Sequence, residues 1–195
     1  MELAFPYDQL YKNINAIYPL SEKTWEAFAA AWQPVKFKRK AVITVAGEIE
    51  KYLYFVVSGI QRGYYTHKDK EATSFFSYPH SLSGIADSFL LQSPSRQFLE
   101  TITASELLRM PHLLFQRLFD DYPDMQKFVY KSTVFAWSGT LERELELMVF
   151  TAEEKFTTLL KRSPHILNLV PHKYLASYLG IDPTTFSKLL ASVRL

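Results

Sequence analysis

At 195 residues the chain has room for one medium domain or two small ones, and 48% apolar and 15% aromatic residues suffice for a packed core. The net charge is only +2, and the absence of cysteine excludes disulfides, thiolate-held iron–sulfur clusters and cysteine-type zinc sites. No apolar run approaches the roughly 20 residues of a membrane helix, and the start, MELAFPYDQL, lacks a basic signal-peptide stretch, so we expect a cytoplasmic protein without membrane contact.

The first part of the chain, residues 1–33, is predicted to be helical. Ser21 is a good N-cap residue, because its side chain can accept a hydrogen bond from a backbone N–H of the first turn. Pro34 is expected to end this helical region. The apolar residues after the cap follow at spacings of one to four and mark the buried face: Trp25, Phe28, Ala29 and Trp32.

From Val35 to about Met110 the pattern changes to short runs of β-forming residues with turns about every 8–12 residues, which predicts a small antiparallel barrel or roll. A weaker helical piece near Leu82 to Leu91 interrupts the run. Glycines are expected at the turns: Gly47, Gly59 and Gly63. The predicted strands cover 35–37, 42–45, 53–57, 60–65, 73–76, 97–103 and 106–110.

Two helices are predicted after the strands, a short one over 111–122 and a long one from about Asp124 to Phe150. Roughly seven turns are long for a domain of this size. The long helix can be buried in its own core or can pair with a second copy, and its broad apolar stripe favours the dimer. The stripe consists of Met125, Phe128, Val129, Phe135, Trp137, Leu141, Leu145 and Met148.

Near the C-terminus, Thr151 and Glu154 form a predicted capping box, and Ser163-Pro164 is expected to cap one more short helix. The stretch 171–195 is then typical of a helix-turn-helix. Gly180 suits the left-handed conformation just past a helix end, and Asp182-Pro183 suits the start of the next helix. Phe186, Leu189 and Leu190 are expected to pack that second helix.

The outward residues of this second helix are short hydroxyls and cations, which suit base edges and phosphates. Charge agrees, because residues 151–195 hold six cations and three anions while 1–150 sum to −1. An ordinary helical hairpin within a core is the alternative interpretation. The predicted DNA-binding residues are Lys173, Thr184, Thr185, Ser187, Lys188 and Arg194.

Three stretches together resemble the Crp/Fnr superfamily of bacterial transcription regulators. They are GEIEKYLYFVVSGIQRGYY, similar to the family's roll strands, the helix 124–150, where the family has its dimer helix, and AEEKFTTLLKRSP with VPHKYLASYLGIDPTTFSKL, similar to its DNA-binding end. The resemblance implies an α+β fold: an N-terminal antiparallel, cyclic-nucleotide-binding-like β-roll, a long dimerisation helix, and a C-terminal helix-turn-helix. It implies a roll domain over 1–122, a dimer helix over 123–150 and a DNA-binding domain over 151–195.

The resemblance also implies an effector cassette, a short helix that in cyclic-nucleotide binders follows a Gly-Glu pair and precedes an arginine for the phosphate. In SLSGIADSFLLQSPSRQFLE, Ile85 replaces the ribose-binding glutamate, unless Asp87 serves in a shifted register. An isoleucine leaves the ribose hydroxyl unpaired, so we expect a cassette-shaped helix without nucleotide chemistry. The candidate effector residues are Gly84, Ile85, Asp87, Ser88, Ser95 and Arg96.

The family's β-wing has no counterpart after the second helix, since Leu195 follows at once, so the predicted helix-turn-helix lacks most of the wing. The resemblance implies double-stranded DNA, a second copy of the chain and RNA polymerase as partners. No paired catalytic carboxylates, nucleophile elbow, phosphate loop or metal-ligand spacing occurs, so we expect no enzyme, no metal and no resident cofactor, only an unidentified effector. The alternative function is a β-roll module that binds a ligand or protein without binding DNA.

Overall fold

The computed structural model describes residues 6–192, which fall into two compact units. We call them the roll unit, comprising Met1–Gly63 and Phe76–Ala136, and the C-terminal unit, comprising Tyr64–Phe75 and Trp137–Leu195. One boundary lies inside a single long helix, and the other two cut a pair of neighbouring strands. The chain therefore passes between the units at three places.

The roll unit begins with two helices, α1 over Tyr7–Ile17 and α2 over Glu22–Ala30. The predicted cap of α2 is confirmed, because the Ser21 side chain accepts the Thr24 N–H at 3.4 Å. The predicted end at Pro34 is wrong, since α2 ends at Ala30 and Pro34 lies in strand β1, Gln33–Phe37. This strand is at the edge of its sheet, where a proline is tolerated better than in a central strand.

The predicted antiparallel roll is confirmed as two four-stranded sheets. After β1 the strands are β2 Val42–Thr44, β3 Tyr52–Ser58, β4 Gln61–His67, β5 Lys70–Ser77, β6 Leu82–Ser83, β7 Phe98–Thr101 and β8 Ser105–Pro111. One sheet has the order β1-β8-β3-β6 and the other β2-β7-β4-β5, with antiparallel pairing of β8 to both β1 and β3.

Glycine is required at the turn between β3 and β4. Gly59 has a φ of +88°, and a Cβ there would lie 2.4 Å from the Ser105 hydroxyl oxygen and 2.5 Å from the Ala104 carbonyl. Gly47 also has a positive φ, of +93°. The turn predicted at the third glycine, Gly63, is wrong. Gly63 lies inside β4, which continues for four more residues.

Two short helices flank the end of the roll, α3 over Ala86–Leu91 and α4 over His112–Asp121. The helix predicted near 82–91 starts later than expected, since Leu82–Ser83 pairs with β3 as β6. Phe89 of α3 packs edge-on against Phe115 of α4 at 5.0 Å between ring centroids. Both rings belong to the core of the unit, with residues from α1, α2, β3 and β8, among them Leu10, Ile14, Phe28, Phe55, Leu108 and Met110.

The long predicted helix is confirmed as α5, Pro123–Val149, a rod of about 40 Å at 1.5 Å per residue. Its first turns belong to the core of the roll unit, because Met125 and Phe128 are both buried there. The apolar stripe predicted as one surface is therefore divided. The first part packs within the chain, and the part from Tyr130 onward leaves large apolar side chains exposed.

The C-terminal unit contains α6 Ala152–Arg162, α7 Ile166–Leu169, α8 His172–Leu179 and α9 Pro183–Ser192. The Thr151–Glu154 capping box is confirmed at the start of α6. The predicted Ser163-Pro164 cap of the next helix is wrong, because His165 is the N-cap of α7. The buried side chains of these helices are Phe156, Leu159, Leu160, Ile166, Val170, Leu175, Ala176, Leu179 and Phe186.

Candidate DNA-binding surface and effector cassette

The turn between α8 and α9 has the left-handed glycine that the sequence predicts just past the end of α8. Gly180 is left-handed with a φ of +64°, and its N–H donates to the Ser177 carbonyl at 3.2 Å. The Ile181 N–H then donates to the Ala176 carbonyl at 3.1 Å, which satisfies a carbonyl at the end of the helix. A non-glycine residue at 180 would be strained by this φ and would press on Leu147, 3.3 Å from the added Cβ.

The start of α9 is fixed by Asp182. Its carboxylate accepts the Thr185 N–H at 2.8 Å and the Thr185 hydroxyl at 2.5 Å. The Thr185 hydroxyl and N–H lower the pKa of Asp182, because both bonds favour the charged form. The predicted N-cap is confirmed, and the cap also engages Thr185, which sequence reasoning had turned toward DNA.

The inner side of α9 is held mainly by one ring. Phe186 is 1% exposed and packs edge-on against Phe156 of α6, at 5.4 Å between centroids. His172 of α8 lies 5.3 Å from the same ring. The packing predicted for Leu190 is wrong, since it is 38% exposed, while Leu189 is half-buried.

The outer side of α9 carries Thr184, Ser187 and Lys188, all exposed. The Ser187 hydroxyl donates to the Pro183 carbonyl of its own helix at 2.9 Å, and Thr185 is half-buried with its hydroxyl on Asp182. Thr184 and Lys188 contribute no hydrogen bond or ion pair from their side chains to the described residues. They are therefore the two predicted readers with the greatest freedom to contact another molecule.

Two predicted phosphate-contacting residues remain. Lys173 lies exposed on the first turn of α8, with its ammonium 4.7 Å from the Tyr174 ring centroid. Arg194 lies outside the described residues. The assignment of all six DNA-binding residues stays a prediction.

A network that the sequence did not reveal holds α8 to the end of α5. The Arg143 guanidinium lies 3.8 Å from the Tyr178 ring centroid, and one of its nitrogens is 3.9 Å from the Glu146 carboxylate. Arg162 of α6 forms a two-pronged ion pair with Glu146, which is 8% exposed. Arg143 and Glu146 are three positions apart on α5, but their partners Tyr178 and Arg162 lie 35 and 16 positions away, so no local pattern marks the whole network.

A second unpredicted contact joins α8 to the tip of the β4–β5 hairpin. The Ser177 hydroxyl oxygen accepts the Thr73 N–H at 2.9 Å and the hydroxyl donates to the Glu71 carbonyl at 3.1 Å. The residues are more than 100 positions apart in the chain. All three belong to the C-terminal unit, although β4 begins in the roll unit and β5 ends there.

Six exposed apolar side chains of α5 from Tyr130 onward recur at intervals of three and four, so they form a stripe on one face of the helix. Phe135, Leu147 and Val149 are also exposed but lie outside this spacing, so the predicted place of Phe135 in the stripe is wrong. Trp137 is 63% exposed and Met148 74%, values unusual for such large apolar groups. The stripe consists of Tyr130, Val134, Trp137, Leu141, Leu145 and Met148.

The effector cassette keeps the shape that the resemblance implied. Gly84 has a φ of +127°, and a Cβ there would lie 3.4 Å from the Tyr52 carbonyl. Ile85, at the position of the ribose-binding glutamate, is 1% exposed, so its side chain is part of the packed interior. The Asp87 carboxylate lies 3.8 Å from the Arg96 guanidinium, and both side chains are largely exposed.

A buried carboxylate that sequence reasoning missed lies beside this cassette. Glu50 is 2% exposed and accepts hydrogen bonds from the Thr44 hydroxyl, the Tyr52 N–H at 3.3 Å and the Ile85 N–H at 3.4 Å. Burial raises the pKa of Glu50, and the Thr44 hydroxyl opposes the rise. The backbone N–H that precedes α3 is thus satisfied by the protein's own carboxylate.

The two cassette serines are satisfied within the loop. The buried Ser88 hydroxyl accepts the Glu50 N–H at 2.9 Å and donates to the Ser93 carbonyl at 2.6 Å. The buried Ser95 hydroxyl donates to the Gln97 carbonyl at 2.7 Å. These bonds organise the loop without a ligand, and the assignment of the six cassette residues to an effector stays a prediction.

Known proteins provide two comparisons at the level of family and fold. Residues 34–122 match the cyclic nucleotide-binding domain family. Among solved structures, FixK2 from Bradyrhizobium japonicum is similar with a TM-score of 0.73 and 19% identity, over 82% of this chain and 83% of that one. The c-di-GMP-responsive regulator CLP from Xanthomonas campestris has a TM-score of 0.65 and 19% identity, over 88% and 90% of the two chains.

A further structure, from Eubacterium rectale, carries a name that places it in the Crp/Fnr family of transcriptional regulators. Its TM-score is 0.70 at 15% identity, over 88% of this chain and 82% of that one. No curated protein sequence matches the chain. Within residues 6–192, no helix is both long and apolar enough to cross a membrane. The chain therefore has the fold of these solved structures, as the resemblance implied, and residues 34–122 are similar to the cyclic nucleotide-binding domain family.

Proposed function

We propose that this chain is a DNA-binding transcription regulator of Crp/Fnr type, a homodimer whose β-roll senses a small-molecule effector. The observation that carries the proposal is the capped helix α9, which buries one ring and leaves Thr184, Ser187 and Lys188 exposed on its outer side. A helix of this kind, entered through a tight glycine turn, fits the major groove with its first residues nearest the bases.

Lys188 and Thr184 are the proposed base readers, since a cation suits a guanine edge and a short hydroxyl suits either kind of base. Lys173 and Arg194 are proposed to contact phosphates, which position the helix without reading sequence. Thr185 is assigned mainly to the cap, because its hydroxyl is held by Asp182.

Dimerisation through α5 is part of the same proposal. The exposed stripe from Tyr130 to Met148 has the three-and-four spacing of a helix that packs against a parallel copy, and a twofold pair would bury the same stripe on both chains. Two recognition helices would then lie about one helical turn of DNA apart, or roughly 34–36 Å, which calls for a palindromic site.

Sedimentation of the full chain tests this assembly. Leu141→Glu, in the stripe, should give monomers that no longer bind DNA, whereas Leu113→Glu, at a 63% exposed leucine of α4, should leave the dimer intact. A wild-type monomer at micromolar concentration, or an unchanged dimer after Leu141→Glu, would exclude the α5 interface.

The effector is proposed to be something other than a cyclic mononucleotide. Ile85 is buried, so the family contact to the ribose hydroxyl lacks its carboxylate, whereas Arg96 is exposed and still offers a guanidinium to a phosphate. A thermal-shift screen is the direct approach, and it should include cyclic AMP, cyclic GMP and cyclic di-GMP, the last because the similar protein CLP responds to it.

The same proposal includes RNA polymerase as a partner, a cytoplasmic location and the absence of catalytic activity. It also divides the chain into domains over 1–122, 123–150 and 151–195.

The decisive test of DNA binding is selection from a random DNA library, followed by titration of the selected site at two salt concentrations. We expect tight, sequence-dependent binding that weakens as salt rises. The second candidate function, a roll module that binds a ligand or protein, is favoured if no DNA is selected while a ligand stabilises the roll unit.

A further inference from the structure

We infer that Ser177 is a positioning residue, which ties the first helix of the helix-turn-helix to the β4–β5 hairpin and so sets its DNA affinity. The inference rests on the proposed DNA-binding function. Its starting point is a pair of hydrogen bonds made by one hydroxyl. The hydroxyl accepts the Thr73 N–H at 2.9 Å and donates to the Glu71 carbonyl at 3.1 Å. We call this pair the hairpin latch.

The latch lies at the edge of a sheet. Among the strands within residues 6–192, β5 is the last of its sheet. Residues two apart in a strand direct their backbone groups to the same side, which places the Glu71 carbonyl and the Thr73 N–H in one row. A single hydroxyl, which both donates and accepts, satisfies both groups.

The latch also has a counterpart on the neighbouring residue of α8. Tyr178 lies against the Arg143 guanidinium at 3.8 Å, so Ser177 contacts the hairpin while Tyr178 contacts the end of α5. Helix α8 is therefore fixed by two elements that both continue into the roll unit, β5 at Phe75–Phe76 and α5 at Ala136–Trp137. Of these two contacts, only the Ser177 latch involves a strand that continues into the proposed sensor.

The latch leaves the outer side of α9 uncovered, because Thr184, Ser187 and Lys188 remain exposed while Ser177 is bonded to the hairpin. We therefore assign the latched arrangement to the DNA-competent state. A change that pulls the hairpin tip away from α8 would free the helix-turn-helix to reorient. By thermodynamic linkage, DNA binding must then favour the latch by the same factor by which the latch favours DNA binding.

The test compares Ser177→Ala with Ser192→Ala, a matched control whose hydroxyl bonds only within α9, to the Leu189 carbonyl at 3.4 Å. Hydrogen exchange of segment 71–75 is measured on the full chain without and with selected DNA. Without DNA, Ser177→Ala should speed exchange about tenfold relative to the control, as expected for a lost hydrogen-bond pair. Its DNA affinity should fall about 3–10-fold, and Ser177→Thr, which keeps the hydroxyl, should restore both.

With DNA, exchange of segment 71–75 should slow in wild type and stay unchanged in Ser177→Ala. Equal exchange in Ser177→Ala and Ser192→Ala would show that no latch exists. Faster exchange with unchanged DNA affinity would show that Ser177 merely covers a sheet edge, and would overturn the positioning role. If wild type binds no DNA, the proposed function fails, and the exchange data still decide separately whether the latch forms. If Ser177→Ala does not fold, Ser177→Thr decides the question. Exchange and DNA affinity equal to those of the wild type would support the latch, and a loss of either in this variant would refute it.

Discussion

The helix-turn-helix and the effector cassette are two segments of similar length that differ in how much of their expected chemistry they retain. In the helix-turn-helix, Gly180, Asp182 and Phe186 all have the roles that their residue types imply. In the cassette, Gly84 and helix α3 keep the expected backbone, while Ile85 is buried in the interior and Arg96 lies in solvent. In the first segment the turn, cap and packing residues all match the expectation, and in the second only the backbone does.

The difference shows that shape and ligand chemistry depend on different residues. The cassette backbone is determined by a glycine with positive φ, by buried apolar residues and by hydroxyls that bond within the loop. None of these needs a ligand. A roll can therefore exchange its effector while its fold persists, whereas the proposed DNA reading by α9 requires both its cap and its outer face.

The largest effect is expected from removing the aromatic side chain that packs α9 against α6. Phe186→Ala should destabilise the C-terminal unit by about 3–5 kcal/mol, because it deletes a fully buried aromatic side chain. Hydrogen exchange should rise in α6, α8 and α9 and stay unchanged in β3 of the roll unit. Leu190→Ala, at a 38% exposed position of the same helix, is the control and should change stability little. Equal effects of the two variants would contradict the assigned packing.

The cassette half of the comparison is tested by calorimetry with cyclic AMP and cyclic GMP. Loss of a hydrogen-bond partner for a polar ligand costs roughly 1–3 kcal/mol, so affinity should be about 5–150-fold below that of a relative with the glutamate. A micromolar dissociation constant for either nucleotide would show that the cassette keeps its chemistry, with Asp87 as the replacement for the glutamate.

Two exposed lysines of the helix-turn-helix test its proposed DNA contacts, one as a base reader and the other as a phosphate contact. Lys188→Ala should cost about 1–3 kcal/mol and relax specificity at one base position, if Lys188 reads a guanine edge. Lys173→Ala should weaken binding to all sequences alike and lower the salt slope by about one, as expected for a phosphate contact. Polarisation titrations on the selected site, single-base variants and scrambled DNA distinguish the two patterns. Identical behaviour of the two variants would reject the assignment.

The smallest expected effect concerns the buried carboxylate beside the cassette. Burial raises the pKa of Glu50 above its ordinary value of 4.5, so protonation favours the folded state. The stability of wild type relative to Glu50→Gln should therefore rise as pH falls through the folded pKa and level off below 4.5, with a slope of at most about 1.4 kcal/mol per pH unit.

Glu154 provides a control of opposite sign for this pH experiment. The Thr151 N–H and hydroxyl lower the pKa of Glu154, so its stabilising contribution is present above its ordinary value of 4.5 and is lost as pH falls through the folded pKa. Chemical unfolding of Glu50→Gln and Glu154→Gln at several pH values measures both. Parallel pH profiles for the two variants would contradict the structure around Glu50.

The sequence predicted the features that depend on neighbouring residues. The Thr151–Glu154 box, the Gly180 turn and the long α5 are all encoded within a few turns of the chain. What it missed depends on distant partners. Glu50 is surrounded by residues from three separate segments, and Ser177 meets a strand more than 100 positions away. Pro34 was misjudged because an edge strand tolerates proline as well as a helix end does.

The central claim, that α9 reads DNA, is tested most directly by one titration. Wild type and a Thr184→Ala/Lys188→Ala variant, both changed only at exposed side chains, are titrated against selected and scrambled DNA at one salt concentration. We expect wild type to prefer the selected site by at least about 10³-fold and the variant to lose most of that preference while keeping nonspecific binding. Equal affinity of wild type for both DNAs, or an unchanged preference in the variant, would contradict the account.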